Sequence, residues 1–156
     1  FIQEDAVRPQ ILKESDVIIS DLPVGFYPND EIAKRYKVAS SEEHTYAHHL
    51  LMEQSLKYLK KDGIAVFLAP VSLLTSKQSD LLKAWLKDYA DVIAVITLPE
   101  PIFGNAANAK SIFVLKKQAE HTPEIFVYPL ADLQSREVLT DFIEKFKKWN
   151  VENMIF

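Results

Sequence analysis

Apolar runs and polar breaks alternate along this chain with two periods, and those periods place the elements. Residues 16–20 (Asp-Val-Ile-Ile-Ser) are a short β-branched apolar run, which predicts a buried strand, and Asp21-Leu22-Pro23 ends it. Residues 29–38 are of mixed polarity and read as a loop or short helix. Ser40 and Glu43 form an S-x-x-E capping box, which predicts a helix to about Lys61 with Ala47, Leu50, Leu51, Tyr58 and Leu59 at helical spacing. Asp62-Gly63 is the expected stop, because glycine accepts the left-handed conformation at a helix end. A second strand is expected over 64–69, closed by Pro70. Thr75 with Gln78 makes another capping box, and the helix predicted from it runs to about Tyr89 with Leu81, Leu82, Trp85, Leu86 and Tyr89 on one face. Residues 92–98 read as the third strand, 99–110 as a loop, and 111–116 as the fourth strand.

Helices between the first three strands imply parallel pairing through crossovers. The last link has no helix-length pattern, so the fourth strand is expected antiparallel to the third. The fold class is therefore α/β: three parallel strands plus an antiparallel closing strand. Beyond it, 117–123 reads as a linker and 124–128 as a strand. A helix from about Ser135 carries Val138, Leu139, Phe142, Ile143, Phe146 and Trp149 on one face, with Lys145, Lys147 and Lys148 expected near its end, where cations suit the helix dipole. This divides the chain into 1–117 and a strand-and-helix extension at 118–156.

Composition narrows the chemistry. The 156 residues suit one domain, and 48% apolar with 26% charged residues is a globular balance. There is no cysteine, which removes disulfides, thiol catalysis and cysteine-zinc sites from this chain and is compatible with the cytoplasm. No apolar run approaches the ~18 residues of a membrane span, so no membrane partner is expected. A net charge of −4 argues against nucleic-acid binding by bulk charge. The three glycines, Gly25, Gly63 and Gly104, are too far apart to make a glycine-rich nucleotide loop. The chain starts at Phe1 rather than a methionine and reads as a fragment.

Sites in open α/β sheets form beyond the carboxyl ends of the strands. Asp21-Leu22-Pro23-Val24-Gly25-Phe26-Tyr27 occupies that place after the first strand, with a carboxylate, a restricted backbone and two aromatics. By itself this is also what a strand-to-loop turn looks like. The stretch resembles motif IV, [D/N]-P-P-[Y/F], of the S-adenosylmethionine-dependent amino-methyltransferases. Residues 50–70 resemble the family's helix, Lys-x-Gly turn and strand ending in proline, and Ile96-Thr97-Leu98-Pro99 with Phe103 and 111–116 resembles its loop and closing strand. The resemblance is to the N6-adenine DNA methyltransferases, including the modification subunits of type I restriction systems. It implies the distal half of a Rossmann-like methyltransferase domain, with the cofactor loop F-x-G-x-G upstream of Phe1. No DNA target-recognition domain is recognisable.

The resemblance also implies a chemistry. An exocyclic amine on adenine is a poor nucleophile, because its lone pair is delocalised into the ring. Two acceptors on its N–H groups turn that lone pair towards the methyl sulfonium of S-adenosylmethionine, and oriented hydrogen bonds of this kind can contribute ~3 kcal/mol each. Carried over, Asp21 is the side-chain acceptor, and Leu22, in place of the first proline, supplies its carbonyl; Pro23 matches the second proline. Val24 stands where the family has Tyr or Phe, so Phe26 or Tyr27 would have to stack on the base, together with Phe103. Asp5 would accept from the cofactor adenine amine. DNA is the implied partner of the intact enzyme. The first strand would lie at an exposed edge, inviting self-association, to which Phe142, Phe146 or Trp149 would add contacts.

Other residues carry less. His44, His48 and His49 cluster in the predicted helix, and His44 with His48 has the i, i+4 spacing of two metal ligands, but no H-E-x-x-H pattern exists and no metal site is expected. Lys57, Lys60 and Lys61 could meet phosphate but read as a solvated helix end. Ser72, Thr75 and Ser76 lack nucleophile-elbow glycines and read as loop and capping residues, and Trp85 and Trp149 as core or interface rather than base platforms. Two rival readings remain: a methyltransferase acting on protein glutamine or RNA amines, and a non-catalytic interaction module that kept the fold, for which Val24 speaks.

Overall fold

The computed structural model describes residues 1–8, 12–117 and 123–156. All but the two ends of the linker expected at 117–123 lies outside the described residues. The elements in order are β1 (Ser15–Asp21), α1 (Asp30–Ala33), α2 (Ala47–Lys57), β2 (Leu59–Pro70), α3 (Ser79–Leu86), β3 (Ala90–Thr97), β4 (Lys110–Lys117), β5 (Phe126–Pro129) and α4 (Arg136–Asn153). Two 3-10 turns, Glu100–Phe103 and Ala106–Asn108, join β3 to β4.

The described strands make one sheet in the order β1-β2-β4-β3-β5. β1 pairs with β2, and β3 with β5, in parallel, while β4 runs antiparallel to both of its neighbours. The mixed α/β fold with parallel strands and an antiparallel fourth strand agrees with the sequence. The placement of that strand does not: β2 and β3 share a direction but do not touch, because β4 fills the gap between them. Its residues Ile112–Leu115 are apolar on both faces, as a central strand requires. β5 continues the same sheet beside β3.

Helices cover both faces. On one, α2 and α3 bury Leu50, Met52, Leu56, Leu82 and Trp85 against Phe67, Phe113 and Leu115. On the other, α4 lays Val138, Leu139, Phe142, Phe146 and Trp149 against Ile93, Ile96, Val114 and Phe126. Those aromatics therefore face inward. β1 is one edge among the described residues, and on its uncovered face Val17 and Ile19 stay exposed, Ile19 by 77%.

Several local expectations change for identifiable reasons. Ser40 does accept from the Glu42 and Glu43 amides, at 3.3 Å each, but no helix follows it directly; α2 waits until Ala47. Gln78 does not close a capping box with Thr75. Its amide instead donates to the His44 carbonyl at 2.8 Å and accepts from the Tyr46 amide at 3.2 Å, fastening the start of α2 to the start of α3. Lys145 and Lys148 sit before the last turn of α4, paired to Asp141 at 3.0 Å and Glu152 at 3.9 Å.

The glycine at the end of α2 has a different role from the expected one. The helix stops at Lys57, and β2 begins at Leu59 with an irregular first turn in its register to β1. Asp62 takes the left-handed conformation, at φ 62°, and Gly63 does not. Gly63 is needed for space: a Cβ there would lie 2.7 Å from the Lys60 carbonyl oxygen and 2.8 Å from the Leu59 side chain. Gly63→Ala should therefore destabilise the protein by about 1–3 kcal/mol through overpacking against backbone, whereas Asp62→Gly should be neutral or stabilising. Chemical denaturation of both variants checks this; a Gly63→Ala midpoint equal to wild type would contradict it.

Candidate functional site

The carboxyl ends of β1, β2 and β3 all point the same way, so the loops that follow them gather at one end of the sheet. β4 starts there because it runs the other way. The motif loop is held to β2 past the end of its strand: Asp21 pairs with Leu68, and the Leu22 amide donates to the Leu68 carbonyl at 2.8 Å. Leu22 is buried in the core. The Pro23 carbonyl accepts from the His48 ring. Gly25, at φ 116°, then turns the chain as few other residues could. Its carbonyl accepts from the Ala47 amide at 3.0 Å, and the Tyr27 amide donates to the Thr45 carbonyl at 2.8 Å. The loop is thus stitched to β2 on one side and to the start of α2 on the other.

At the centre is a contact that the sequence did not disclose. Lys110, the first residue of β4, places its Nζ 2.6 Å from Asp21 Oδ1 and 2.7 Å from the Leu22 carbonyl oxygen. The two acceptors expected to act on an amine converge on a single nitrogen. The lysine side chain is only 14% exposed, but that of Asp21 is 67% exposed, so the ion pair itself is worth about 1 kcal/mol or less. Its placement of the two oxygens matters more than its energy.

The aromatics divide. Phe26 stacks on Tyr46 with centroids 4.6 Å apart and planes 10° apart, and Tyr46 in turn lies against His48 at 5.0 Å. Phe26 is about half exposed, so one face of its ring is open to a ligand. Tyr27 is turned away to Asp5: its hydroxyl donates to Asp5 Oδ2 at 2.6 Å. Burial, and then that carboxylate, push the phenol up to about 12. Asp5 Oδ1 accepts from the Val7 amide at 3.0 Å, so Asp5 is tied to the motif loop through Tyr27. Val24 is about half exposed. Phe103 ends the 3-10 turn after β3, at the same end of the sheet, and is partly buried.

The histidines do not share a helix face. His44 precedes α2 and its Nδ1 meets Asp30 at 2.8 Å, while His48 and His49 are buried inside the helix. No group of three or more possible metal ligands occurs among the described residues. Lys57 is used internally, 2.8 Å from buried Glu53 and over the Tyr36 ring. Lys60 meets Asp16 at 3.5 Å. Trp85 stacks on Tyr89, and the Trp149 Nε1–H donates to the Glu124 carbonyl at 2.6 Å. Thr75 turns back to the Ser72 carbonyl at 3.5 Å. No helix among the described residues is long and apolar enough to cross a membrane.

The family model of N-6 DNA Methylase matches residues 3–155, which takes in every element from β1 through α4. The chain belongs to the N-6 DNA methylase family. It is 39% identical over 152 residues to YtxK of Bacillus subtilis strain 168, covering 96% of this chain and 46% of that protein. Its fold is similar to that of a Listeria monocytogenes protein assigned as a class I S-adenosylmethionine-dependent methyltransferase, with TM-score 0.82, 31% identity, and 92% of this chain matched to 45% of that one. It is also similar in fold to a modification subunit assigned to a type I restriction enzyme of Vibrio vulnificus, with TM-score 0.68, 16% identity and coverage of 87% and 32%. The chain spans under half the length of each of these relatives. The family assignment covers β5 and α4 as well as the motif loop, so the Lys110 contact lies within a region that the family shares.

Two buried histidines lie beside this N-6 DNA methylase loop, His48 against Pro23 and His49 against His48, and they give the fold a pH limit. Burial pushes His48 down to about 4, opposed by its hydrogen bond to Pro23 and helped by the charge of Lys110. Burial and the neighbouring His48 push His49 down to about 3. Both folded values lie below the ordinary 6.5, so the unfolded chain takes up protons first as the pH falls. Their contribution to stability is full above about pH 6.5 and is lost as the pH falls from there, down to about pH 4 for His48 and about pH 3 for His49, at no more than ~1.4 kcal/mol per pH unit for each ring. Urea midpoints should fall between pH 7.5 and 5.5, and His49→Phe should flatten that fall. A wild-type midpoint unchanged over this range would contradict the buried neutral pair.

Proposed function

We propose that this chain supplies the amine-orienting half of a methyltransferase that moves a methyl group from S-adenosylmethionine to the exocyclic amine of adenine in DNA. The observation that carries the reading is the convergence of Asp21 Oδ1 and the Leu22 carbonyl on one nitrogen, 2.6 and 2.7 Å away. An adenine amine placed there would donate one N–H to each oxygen, and its lone pair would turn out of the ring plane. The open face of Phe26, backed by Tyr46, suits an extruded base and stands in for the aromatic that Val24 replaces. Phe103 is the second aromatic assigned to the base.

The residues present are compatible with the cofactor. Asp5 accepts from the Val7 amide and the Tyr27 hydroxyl, and a carboxylate that accepts from N–H and O–H donors is of the kind that would accept from the cofactor adenine amine. When bound, S-adenosylmethionine supplies a methyl group made electrophilic by its sulfonium. The protein's part is to hold the target amine against it. In an intact enzyme the exposed β1 edge would pair with the strand that carries the glycine loop and the ribose-binding carboxylate. The 1–156 chain alone should therefore self-associate through that edge, with a sedimentation mass that rises with concentration, and bind S-adenosylmethionine weakly; a concentration-independent monomer would count against this arrangement.

In the intact protein, Asp21→Ala should lower single-turnover methylation by a factor of order 100 or more with cofactor affinity much less affected. Asp21→Asn should retain far more activity, because an amide oxygen still accepts. A general-base role predicts that Asn fails as Ala does. Wild-type methylation by Asp21→Ala would end the catalytic assignment and favour an interaction module instead.

A further inference from the structure

Resting on the reading of Asp21 and the Leu22 carbonyl as the seat of the target amine, we propose that Lys110 is a specificity-determining competitor for that seat. At rest its ammonium holds both acceptors, and a ligand enters when it brings an amine with two N–H donors to replace it. The geometry points to competition rather than to a neighbouring role, because the same two oxygens cannot direct the lone pair of an incoming amine while both are bound to Nζ at 2.6 and 2.7 Å.

The backbone of Lys110 cannot withdraw. Lys110 pairs with Pro70 at the end of β2, and the adjacent Ala109 carbonyl accepts from the Val71 amide at 3.2 Å. The flexible four-carbon stem can swing, so exchange is a side-chain event. Because it is tethered, the ammonium competes at a high effective concentration, which weakens every ligand that must displace it. Release is asymmetric for the two acceptors. Asp21 is mostly exposed and water can take over there. Leu22 is buried, so its carbonyl is poorly placed for water and needs a donor from whatever replaces the lysine. A purine without an N–H amine cannot supply one, and for such a ligand Lys110 stays in place. A clip that merely held β1 to β4 would give no such dependence on the ligand's amine.

The test uses the intact protein and three nucleosides: adenosine, purine riboside, which lacks the amine, and dimethyladenosine, whose amine bears no N–H. Acetylation of lysines followed by mass spectrometry reads the exposure of the Lys110 amine without any substitution. Adenosine should speed acetylation of Lys110 while leaving Lys34 and Lys87 unchanged, and the other two nucleosides should not. In equilibrium dialysis Lys110→Met should bind adenosine about tenfold or more tightly than wild type, with purine riboside within twofold. Adenosine that leaves Lys110 acetylation unchanged, or Lys110→Met that binds adenosine no better than wild type, would overturn the proposal. Amine-dependent exposure of Lys110 in a protein that transfers no methyl group would retain the competitor and remove the methyltransferase reading. Methylation that depends on Asp21 while adenosine leaves Lys110 shielded would do the reverse.

Discussion

The hydrogen bond from the Leu22 amide to the Leu68 carbonyl is the constraint on which the site depends. It extends the β1–β2 pairing one residue past the strand, into the motif loop. A loop residue ordinarily has a backbone free to reorient, and a catalytic carbonyl on such a residue would be aimed poorly. Here the carbonyl of Leu22 inherits its direction from a sheet whose next strand, β4, is buried on both faces. The same sheet brings Lys110 to the loop from the opposite direction. Strand polarity, and not sequence proximity, makes the acceptor pair and its occupant neighbours.

The other half of the support comes from α2. Gly25, Phe26 and Tyr27 lean on the segment leading into that helix, and Gln78 ties the segment to α3. The buried His48 reaches the Pro23 carbonyl from inside the helix, where an apolar residue would leave that carbonyl without its donor. Glu53, one turn on, is fully buried yet accepts from the Lys37 and Val38 amides at 2.7 and 3.0 Å and meets Lys57. His48 and Glu53 inside α2 are therefore spent on fixing the motif loop and the segment at 37–38. This explains why the helix carries so mixed a sequence and still packs against the sheet.

The strands were legible because their apolar runs are short and bounded by turns, and α4 because its face repeats at helical spacing with Ser135 as a working cap, which accepts from the Val138 amide at 3.3 Å. Capping boxes misled where side chains had long-range partners: Glu43 faces Lys77, and Gln78 serves α2. The insertion of β4 between β2 and β3 was not legible, since an antiparallel return from β3 looks the same whether it lies outside the sheet or within it. The motif loop was visible as residues, and the structure sets Asp21 and the Leu22 carbonyl on one lysine nitrogen and Phe26 against Tyr46. Tyr27 and Asp5 were singled out separately, but their mutual hydrogen bond was not legible. Lys110 left no trace, because it stands 89 residues from Asp21 and a single polar contact has no period to detect.

The most direct measurement is a crystal structure of the intact protein with adenosine bound. The exocyclic nitrogen should lie within hydrogen-bond distance of both Asp21 Oδ1 and the Leu22 carbonyl, with the base against Phe26 and the Lys110 ammonium displaced from both oxygens. Adenosine bound elsewhere, or bound with its amine away from this pair while Lys110 keeps both contacts, would contradict the assignment of these two oxygens as the seat of the target amine.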